Sequence, residues 1–549
     1  MTPALTPVRL ENEIPCHHSA ELAPLSKRGQ RYAAYAALVV VLAFFSFVRV
    51  RLRAMPLERD EGEYAYAGQL ILQGIPPYKY VYSMKLPGTF TAYAVIMALF
   101  GQTPSGIHLG VMLANVAATL LVFLLAKYLH GLLTGVVAGC TYALLSTRSS
   151  VLGFQGHATH FVVLAALAGI LLLLYAIEKN NKILLFCSGL SLGVAFLMKQ
   201  PGIVFAFFAI LYCLWAERGR PRGQLAIRGS ILLFGVAVPF ALTSLVLYRA
   251  GVFQEFWFWT FAYARAYGSI LNVRQGWREL RVVGPWIVRP FVIWEIAAIG
   301  LTALIWSRKV RQQSTFSVGF LVFSALAVCP GLYFRPHYFI MLLPAIALWT
   351  GIAIAAAYDQ LRSKPRLAWL PLAAFVIAFA FSIHGHWSIY FRLDPQAVYE
   401  KEHDSQGPGC ADGCLQDQAV GEYIRTHFSE QDEVAVLGSE PAIYFYAHRR
   451  SVTGYIYMFP LTEKQKFAQE MQEQMMSQIE RSRPNILVYV DDGYSWQTDK
   501  VPPRDVAFLD RIRQLVRGGY DLEQQFPISS DSWHRMNDLS AVYVFRRKP

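Results

Sequence analysis

Two carboxylates and a lysine share one polar segment of the sequence, directly after its first apolar run. Asp60 and Glu61 stand in RDEGEYAY at positions 59–66, and Lys85 stands in MKLPG at positions 84–88. A carboxylate can take a proton from a hydroxyl group, and an ammonium group can stabilise negative charge on a departing group. The segment therefore holds residue types suited to acid–base chemistry on an anionic substrate.

Structural alternatives exist for all three residues. Asp60 and Glu61 would favour the N-terminus of a helix that begins near Glu63, through the helix dipole. Lys85 could keep its charge in water while its stem lies on an apolar surface. However, carboxylates beside an apolar helix are costly to desolvate, and the nearby Pro87 restricts the chain at Lys85. We therefore prefer a functional role for the segment.

Apolar residues dominate the sequence between a polar N-terminal tail and a polar C-terminal region. The 549-residue chain is 54% hydrophobic and only 16% charged, and its mean hydropathy is +0.33. A soluble protein could not bury this much apolar surface, so part of it must face lipid. We predict a cytoplasmic tail at 1–31, a transmembrane domain at 32–390 and a soluble domain at 391–549. No cleavable signal peptide is recognised, so the first run is a permanent anchor.

Eleven apolar runs can cross a hydrocarbon core, although several are shorter than the usual ~20 residues. These runs are residues 33–48, 107–126, 132–145, 158–177, 183–198, 202–215, 231–248, 291–306, 316–332, 338–357 and 368–384. A twelfth run, 86–100, begins with KLPG and is interpreted as an interfacial helix lying in the membrane surface.

Basic residues orient these runs. If 86–100 does not cross, the clusters at 27–31, 127, 179–182, 218–228, 308–311 and 362–366 all fall on one face. The positive-inside rule makes that face cytoplasmic. We thus expect a multi-pass protein of the plasma (inner) membrane with a cytoplasmic N-terminus and an extracytoplasmic C-terminal domain. The net charge of +13 belongs to this pattern, so no nucleic-acid partner is expected.

Four arginines run against that rule, because they lie on the external side of the first run. Arg49, Arg51, Arg53 and Arg59 either reach toward anionic headgroups or create a field that holds an anionic lipid substrate. The first interpretation is slightly preferred.

The C-terminal region alternates amphipathic helical stretches with β-rich runs. Helices are predicted at 419–427 and 463–481, and strands at 434–438, 486–490 and 541–545. This pattern predicts an α/β domain, within which DDG at 491–493 is interpreted as a turn. The sequence contains no glycine-rich phosphate loop and no metalloprotease helix, so soluble nucleotide-driven chemistry is unsupported.

Three patterns in the first outer segment together resemble a known group of enzymes. They are Asp-Glu-x-x-Tyr at 60–64, Gly-x-Pro-x-Tyr at 74–78 and Lys-x-Pro at 85–87. This combination resembles the first outer loop of the GT-C-fold membrane glycosyltransferases, which include protein O-mannosyltransferases and lipid A aminoarabinose transferase. Looser similarities lie at Lys199 in MKQPG, at the aromatic stretch 257–267 and at residues 335–338. The resemblance covers about residues 30 to 390.

The resemblance implies a sugar transfer from a polyprenyl-phosphate donor to a glycan, lipid or protein acceptor on the extracytoplasmic face. Asp60 would be the general base, and Glu61 would orient it, bind a metal or position the acceptor. Lys85 is the first candidate for the donor phosphate, followed by Arg265, Arg274 and Arg335. The further candidates for the site are Tyr64, His157, His160, Lys199 and His337.

The sequence departs from this group in the segment 153–161, where many relatives carry a second acidic residue linked to metal binding. Here GFQGHATHF has no carboxylate, so a divalent metal is not a firm expectation. His157 and His160 could replace that residue as metal ligands or as a base, being three apart on one helical face. Polar capping of a membrane helix is the preferred interpretation of both.

Cys410 and Cys414, in CADGC, are close enough in sequence to form a disulfide outside the cytoplasm. Free thiols are the alternative. The other cysteines except Cys16 lie in apolar runs and are interpreted as small core residues.

Two other classes of protein share the outline of this sequence. A transporter or lipid flippase would place ionisable residues near mid-membrane and show repeated halves, and neither feature is present. A non-catalytic protein that binds the cell envelope would not depend on Asp60.

Overall fold

The computed structural model describes residues 27–289, 291–404, 416–496, 506–528 and 541–549. The predicted disulfide between Cys410 and Cys414 lies outside these residues.

Helices fill the described residues up to 404. They are α1 Lys27–Arg51, α2 Arg59–Leu72, α3 Pro87–Phe100, α4 Pro104–His130, α5 Leu132–Leu145, α6 Ala158–Glu178, α7 Lys182–Met198, α8 Ile203–Ala216, α9 Arg222–Arg249, α10 Phe253–Trp257, α11 Ala264–Gly268, α12 Val273–Ile287, α13 Val292–Trp306, α14 Arg308–Gln312, α15 Ser314–Val328, α16 Leu343–Leu361, α17 Pro365–Ala368, α18 Leu370–His384 and α19 Pro395–Asp404. Single 3-10 and π turns join some of them.

All eleven predicted runs coincide with helices, and the chain is a multi-pass membrane protein. Within the described part of the chain, five helices are long and apolar enough to cross a membrane alone: Arg28–Arg51, Pro104–His130, Ala158–Glu178, Arg222–Arg249 and Arg366–His384. Helices α12 and α13 together form a sixth candidate that is bent by 106°. The remaining apolar helices are shorter, so the count of eleven spans stays a prediction.

Helix α3 contains the run predicted to be interfacial. Its 14 residues extend about 21 Å, which is shorter than the ~30 Å of a hydrocarbon core. It packs along α2, whose residues from Glu61 to Leu70 are all buried. Helices α5 and α8 have the same length and contain predicted spans, so it is the packing on α2 that favours a helix at the membrane surface.

Helix α2 begins four residues earlier than the sequence suggested, at Arg59 instead of near Glu63. The Glu58 carboxylate accepts a hydrogen bond from the backbone N–H of Asp60, and Glu61 accepts one from the backbone N–H of Glu58. This reciprocal capping box satisfies N–H groups that the helix leaves unpaired. Asp60 and Glu61 are therefore residues of the first helical turn, where the dipole favours negative charge.

The arginines that oppose the positive-inside rule are partly explained by contacts within the protein. The Arg49 guanidinium is buried and donates to the carbonyl oxygens of Ser146 and Gly153, at 2.9 and 2.8 Å. Arg51 donates to the carbonyl oxygens of Ile389 and Leu393. These two side chains tie the end of α1 to neighbouring loops, so neither of the interpretations drawn from the sequence describes them.

The C-terminal residues form the predicted α/β domain. Its elements are α20 Asp417–His427, β1 Val434–Leu437, α21 Ala442–Ala447, α22 Phe459–Thr462, α23 Ala468–Ser482, β2 Ile486–Asp491, α24 Gly493–Trp496, α25 Val506–Gly519, β3 Tyr520–Pro527 and β4 Ala541–Arg547. The sheet order is β1-β2-β4-β3, with β1 and β2 parallel and the other pairs antiparallel. The sequence did not predict β3, because this edge strand is mostly exposed and its alternation of Tyr520, Leu522 and Phe526 is interrupted at Gln524, where the register shifts.

One apolar core joins the first outer loop to the C-terminal domain. Residues of α2 and α3, such as Tyr66 and Phe90, cluster with buried residues of the domain, such as Val436 and Ile443. In addition, Val398 and Tyr399 of α19 pack into the core of the membrane helices, although 391–549 was predicted as the soluble part. The two parts of the chain are therefore packed against each other.

Cysteine labelling tests whether α3 crosses the membrane. Thr103 caps α4 and is exposed, and Lys182 is exposed at the start of α7. In a background with the native cysteines replaced by serine, Thr103→Cys should react with a membrane-impermeant maleimide in intact cells. Lys182→Cys should react only after permeabilisation. Protection of position 103 in intact cells would mean that α3 spans the bilayer.

Candidate active site

The site is organised by two carboxylates that α2 presents on one face. Asp60 and Glu63 are three residues apart, so their side chains lie on the same side of the helix. The Lys85 ammonium nitrogen donates to Asp60 Oδ1 at 2.7 Å and to Glu63 Oε2 at 2.5 Å. The Asp60 side chain keeps 23% of its surface exposed, whereas that of Glu63 is fully buried. Lys85 thus links a buried carboxylate to one that reaches solvent.

Local hydrogen bonds fix the backbone at Lys85. The Tyr78 hydroxyl donates to the Lys85 carbonyl oxygen at 2.8 Å, and the Lys85 N–H donates to Ser83 Oγ at 3.1 Å. Helix α3 then begins at Pro87, whose ring is compatible with the first helical turn. The sequence Lys-x-Pro therefore places the ammonium at the start of a surface helix.

Electrostatics keep this ion pair charged. Burial alone would raise the pKa of Asp60, but the charge and hydrogen bond of Lys85, together with His157 and Lys199, hold that pKa well below its usual range. Burial likewise lowers the pKa of Lys85, and the charges of Asp60 and Glu63 raise it well above the ordinary value. Both groups are therefore ionised at neutral pH.

The opposite wall of the site carries three basic side chains. His157 Nδ1 lies 3.9 Å from Asp60 Oδ2. The His157 ring stacks on the His337 ring with centroids 4.1 Å apart, and Lys199 Nζ lies 3.3 Å from His337 Nε2. The Lys199 ammonium also lies 4.2 Å from the centre of the Tyr338 ring, a cation–π distance.

The turn that carries Lys199 is attached to the start of α3. The Thr89 hydroxyl donates to the Met198 carbonyl oxygen at 2.8 Å, and the Gln200 amide donates to the Met84 carbonyl oxygen at 2.5 Å. A β-carbon on Gly88 would lie 2.5 Å from the Leu197 carbonyl oxygen, so only glycine allows this approach. The two lysines are consequently held on neighbouring segments.

Glu61 does not face the reactive side. Its Oε1 accepts hydrogen bonds from the Gly156 N–H at 2.6 Å and from His108 Nε2 at 3.0 Å, and the residue is fully buried. The predicted roles were orienting Asp60, binding a metal or positioning an acceptor. The geometry favours a different one, because Glu61 fixes the backbone directly before His157.

Two basic groups of the opposite wall, His157 and Lys199, have pKa values below those of ordinary histidine and lysine. Burial lowers the pKa of His157 to about 4, although Asp60 and Glu61 act in the other direction. Burial lowers the pKa of Lys199 to about 7, with Asp60 raising it and Lys85 lowering it. His157 is therefore neutral near pH 7, and Lys199 titrates there.

The structure brings only part of the predicted set together. Tyr64 joins it, since Lys85 Nζ lies 4.6 Å from the centre of its ring. Arg265 and Arg274 are exposed, and no contact joins them to the carboxylates among the described residues. The Arg335 guanidinium lies 5.8 Å from the Tyr333 ring centre. His160 is buried at the start of α6, so its predicted role remains a prediction.

Three residues of the site were missed by sequence reasoning. Glu63 was interpreted only as part of a helix start, although its i, i+3 spacing from Asp60 was available as a signal. Tyr457 reaches Asp60 from the C-terminal domain, and no local pattern indicates it. Glu402 is buried and accepts a hydrogen bond from the Gln155 amide at 2.9 Å, and burial raises its pKa to about 7.

A metal would require a rearrangement of this cluster. Donor atoms of Asp60, His157 and His337 all lie within 4.8 Å of one another, and two histidines with a carboxylate are a common zinc ligand set. Both ring nitrogens of His157 lack a hydrogen-bond partner among the described residues. However, the two rings are stacked and inclined by only 13°, so their in-plane lone pairs lie in nearly parallel planes and do not converge on one ion. Lys85 and Lys199 also place positive charge beside the same donor atoms. The residues as arranged do not fit a shared metal ion.

Comparison with solved structures defines the fold class. ArnT from Cupriavidus metallidurans, bound to undecaprenyl phosphate, is 15% identical with a TM-score of 0.54, and the match covers 94% of this chain and 98% of that one. The oligosaccharyltransferase AglB from Archaeoglobus fulgidus, in complex with an inhibitory peptide and a dolichol-phosphate, is 11% identical with a TM-score of 0.53, covering 84% and 70%. The Archaeoglobus fulgidus oligosaccharyltransferase in complex with Zn and sulfate has a TM-score of 0.50 at 13% identity, covering 89% and 72%. The chain has the GT-C fold that the sequence predicted.

Part of the chain also matches the sequence model of one protein family. Residues 85–249 match the dolichyl-phosphate-mannose-protein mannosyltransferase family, which is less than a third of the chain. The match begins at Lys85 and ends with α9. No curated protein matches the chain by sequence. The predicted resemblance to GT-C membrane glycosyltransferases is thereby confirmed.

The pKa of Lys199 is directly measurable. With reductive methylation by formaldehyde and mass spectrometry of the peptide, the rate at Lys199 should rise with pH and level off above about pH 7, because the amine is then neutral. A lysine in an unstructured reference peptide should continue to gain reactivity up to about pH 10. In Asp60→Asn the plateau should begin at lower pH, because Asp60 raises the pKa of Lys199. A Lys199 profile that follows the reference peptide would contradict this assignment.

Proposed function

We propose that this protein transfers a sugar from a polyprenyl-phosphate donor to a hydroxyl group of an acceptor on the extracytoplasmic side of the plasma (inner) membrane. The observation that carries the proposal is the Lys85 ion pair, which joins a partly exposed carboxylate to an ammonium at the start of a surface helix. A lipid donor keeps its phosphate at this level of the membrane. The fold and the family match support the same class of reaction.

The transfer is a displacement at the anomeric carbon. The acceptor oxygen forms a bond to that carbon while the bond from carbon to phosphate oxygen breaks and its electron pair leaves with the phosphate. The acceptor proton passes to the Asp60 carboxylate. The donor phosphodiester carries one negative charge and the departing monoester up to two, so a cation beside the phosphate stabilises the transition state more than the bound donor. A single displacement of this kind inverts the anomeric configuration.

The two partners of the ion pair have linked roles in this proposal. In the absence of donor, Lys85 holds Asp60 in a weakly basic state, because the ammonium stabilises the carboxylate. When a donor phosphate arrives, Lys85 can turn from Asp60 to the phosphate while Glu63 retains it. Asp60 then regains basicity as the leaving group gains its cation. The acceptor proton is therefore removed only when a donor is in place.

Lys199 is the second cation of the proposed phosphate site. Its charge depends on pH near neutrality, and a bound phosphate would favour its protonated form. Because two lysines already supply positive charge and the cluster does not fit a shared metal ion, we assign the stabilisation of the leaving phosphate to Lys85 and Lys199. Arg265, Arg274 and Arg335 remain candidates for contacts with more distant parts of the donor.

Turnover of defined donors tests the proposal. Undecaprenyl-phosphate monosaccharides carrying labelled mannose, galactose, glucose, N-acetylglucosamine or 4-amino-arabinose are offered singly to the reconstituted protein with a cell-envelope fraction as acceptor. We expect release of undecaprenyl phosphate from at least one donor. Asp60→Asn should lower that turnover about 10²- to 10⁴-fold, the range for loss of a general base.

Controls separate chemistry from folding. Lys85→Met alone leaves Glu63 with a buried, unpaired charge, which costs about 3–5 kcal/mol. The double variant Lys85→Met/Glu63→Gln removes both charges, so it should fold and still fail to turn over. Release of undecaprenyl phosphate at the wild-type rate by Asp60→Asn would contradict the proposal, as would translocation of intact donors without cleavage.

A further inference from the structure

A segment of the C-terminal domain lies directly on the first outer loop. The Tyr82 N–H donates to the Gly454 carbonyl oxygen at 2.7 Å, and the Ser451 N–H donates to the Tyr66 hydroxyl at 2.8 Å. A β-carbon on Gly454 would lie 2.4 Å from Tyr82 Cδ1, so the two segments of the chain are in close contact. The segment cannot move far without breaking these bonds.

Helix α2 is held by the same domain along its length. A β-carbon on Gly62 would lie 2.6 Å from Ala442 Cβ and 2.8 Å from its Cα. The Leu57 N–H donates to the Tyr446 hydroxyl at 3.0 Å. The position of Asp60 therefore depends on the C-terminal domain as well as on the membrane helices.

Tyr457 extends this contact into the carboxylate site. Its hydroxyl donates to the Arg59 carbonyl oxygen at 3.1 Å and lies 3.5 Å from Asp60 Oδ1. The Lys85 ammonium lies 5.7 Å from the centre of its ring and 4.6 Å from the centre of the Tyr64 ring. The ion pair thus lies near an aromatic ring of the membrane domain and one of the soluble domain.

The outer side of the site is aromatic as well. The Tyr457 ring stacks on the Phe459 ring, with centroids 5.8 Å apart and planes inclined by 26°, and both rings are half-buried. The Arg59 guanidinium lies 5.1 Å from the centre of the Phe459 ring. These two half-buried rings therefore lie beside the ion pair on the side of the soluble domain.

We propose that the C-terminal domain completes the active site. Tyr457 is then a positioning residue that holds the Asp60 and Lys85 side chains in place relative to each other and shields them from water on the acceptor side. This inference rests on the proposed function and deepens it. The domain would then act in the transfer step itself. A hydroxyl that contacts the general base and a ring that covers the lysine act on the same pair of groups.

A conservative substitution tests the contribution of the Tyr457 hydroxyl to turnover. Tyr457→Phe should lower kcat about 2- to 10-fold, as expected for loss of one hydrogen bond, with the donor KM unchanged. In the proposed transfer step the hydroxyl turns its single proton from the Arg59 carbonyl oxygen to Asp60 Oδ1, which favours the charged carboxylate, so its removal should move the acid limb of the kcat profile to higher pH. The matched control is Tyr455→Phe, because the Tyr455 hydroxyl donates to Gln474 Oε1 at 2.5 Å, outside the ion pair. This control should keep the wild-type rate and pH profile.

A larger substitution tests the shielding. In Tyr457→Ala, a greater share of the label should appear as free sugar, because water can replace the acceptor at the uncovered site. This inference alone would be overturned if both Tyr457 variants had the kcat, the acid limb and the fraction of free sugar of the wild type while Asp60→Asn remained inactive. Full activity of Asp60→Asn would instead overturn the proposed function.

Discussion

The rest of the site depends on one constraint: the Lys85 ammonium must satisfy two carboxylates at once. A fully buried Glu63 requires a positive partner, since an uncompensated buried charge costs several kcal/mol. Lys85 supplies it only if α2 and α3 pack together. The same ammonium binds Asp60, which still reaches solvent. The packing of two short helices is thereby coupled to the protonation of a reactive carboxylate.

The sequence allowed prediction of the pair Asp60 and Lys85, because both lie in one loop within 26 residues and carry a recognisable spacing. It also allowed prediction of the helical membrane domain and of three strands with alternating or apolar character. The exact start of α2 was not predicted, since the capping box of Glu58 and Glu61 depends on side-chain geometry. That difference of one turn is what brings Glu63 onto the face of Asp60.

Other parts could not be read from local pattern. Tyr457 lies almost 400 residues from Asp60 along the chain, and only the packing of the domain on α2 brings the two together. The stacking of His157 on His337, which argues against a shared metal ion, is likewise a long-range contact. The edge strand β3 is mostly exposed, and its period-two pattern of apolar residues is interrupted at Gln524, where the register shifts. Such features follow from tertiary structure, and a single sequence does not display them.

The most direct measurement of the central claim is the affinity for undecaprenyl phosphate compared with undecaprenol, which has the same tail without the phosphate. The wild-type protein should prefer the phosphate lipid. Lys85→Met/Glu63→Gln should lose at least about tenfold of that preference, since a charge-assisted hydrogen bond contributes about 1.5–3 kcal/mol. Asp60→Asn should keep the preference. An unchanged preference in Lys85→Met/Glu63→Gln would contradict the account, because Lys85 would then not bind the phosphate.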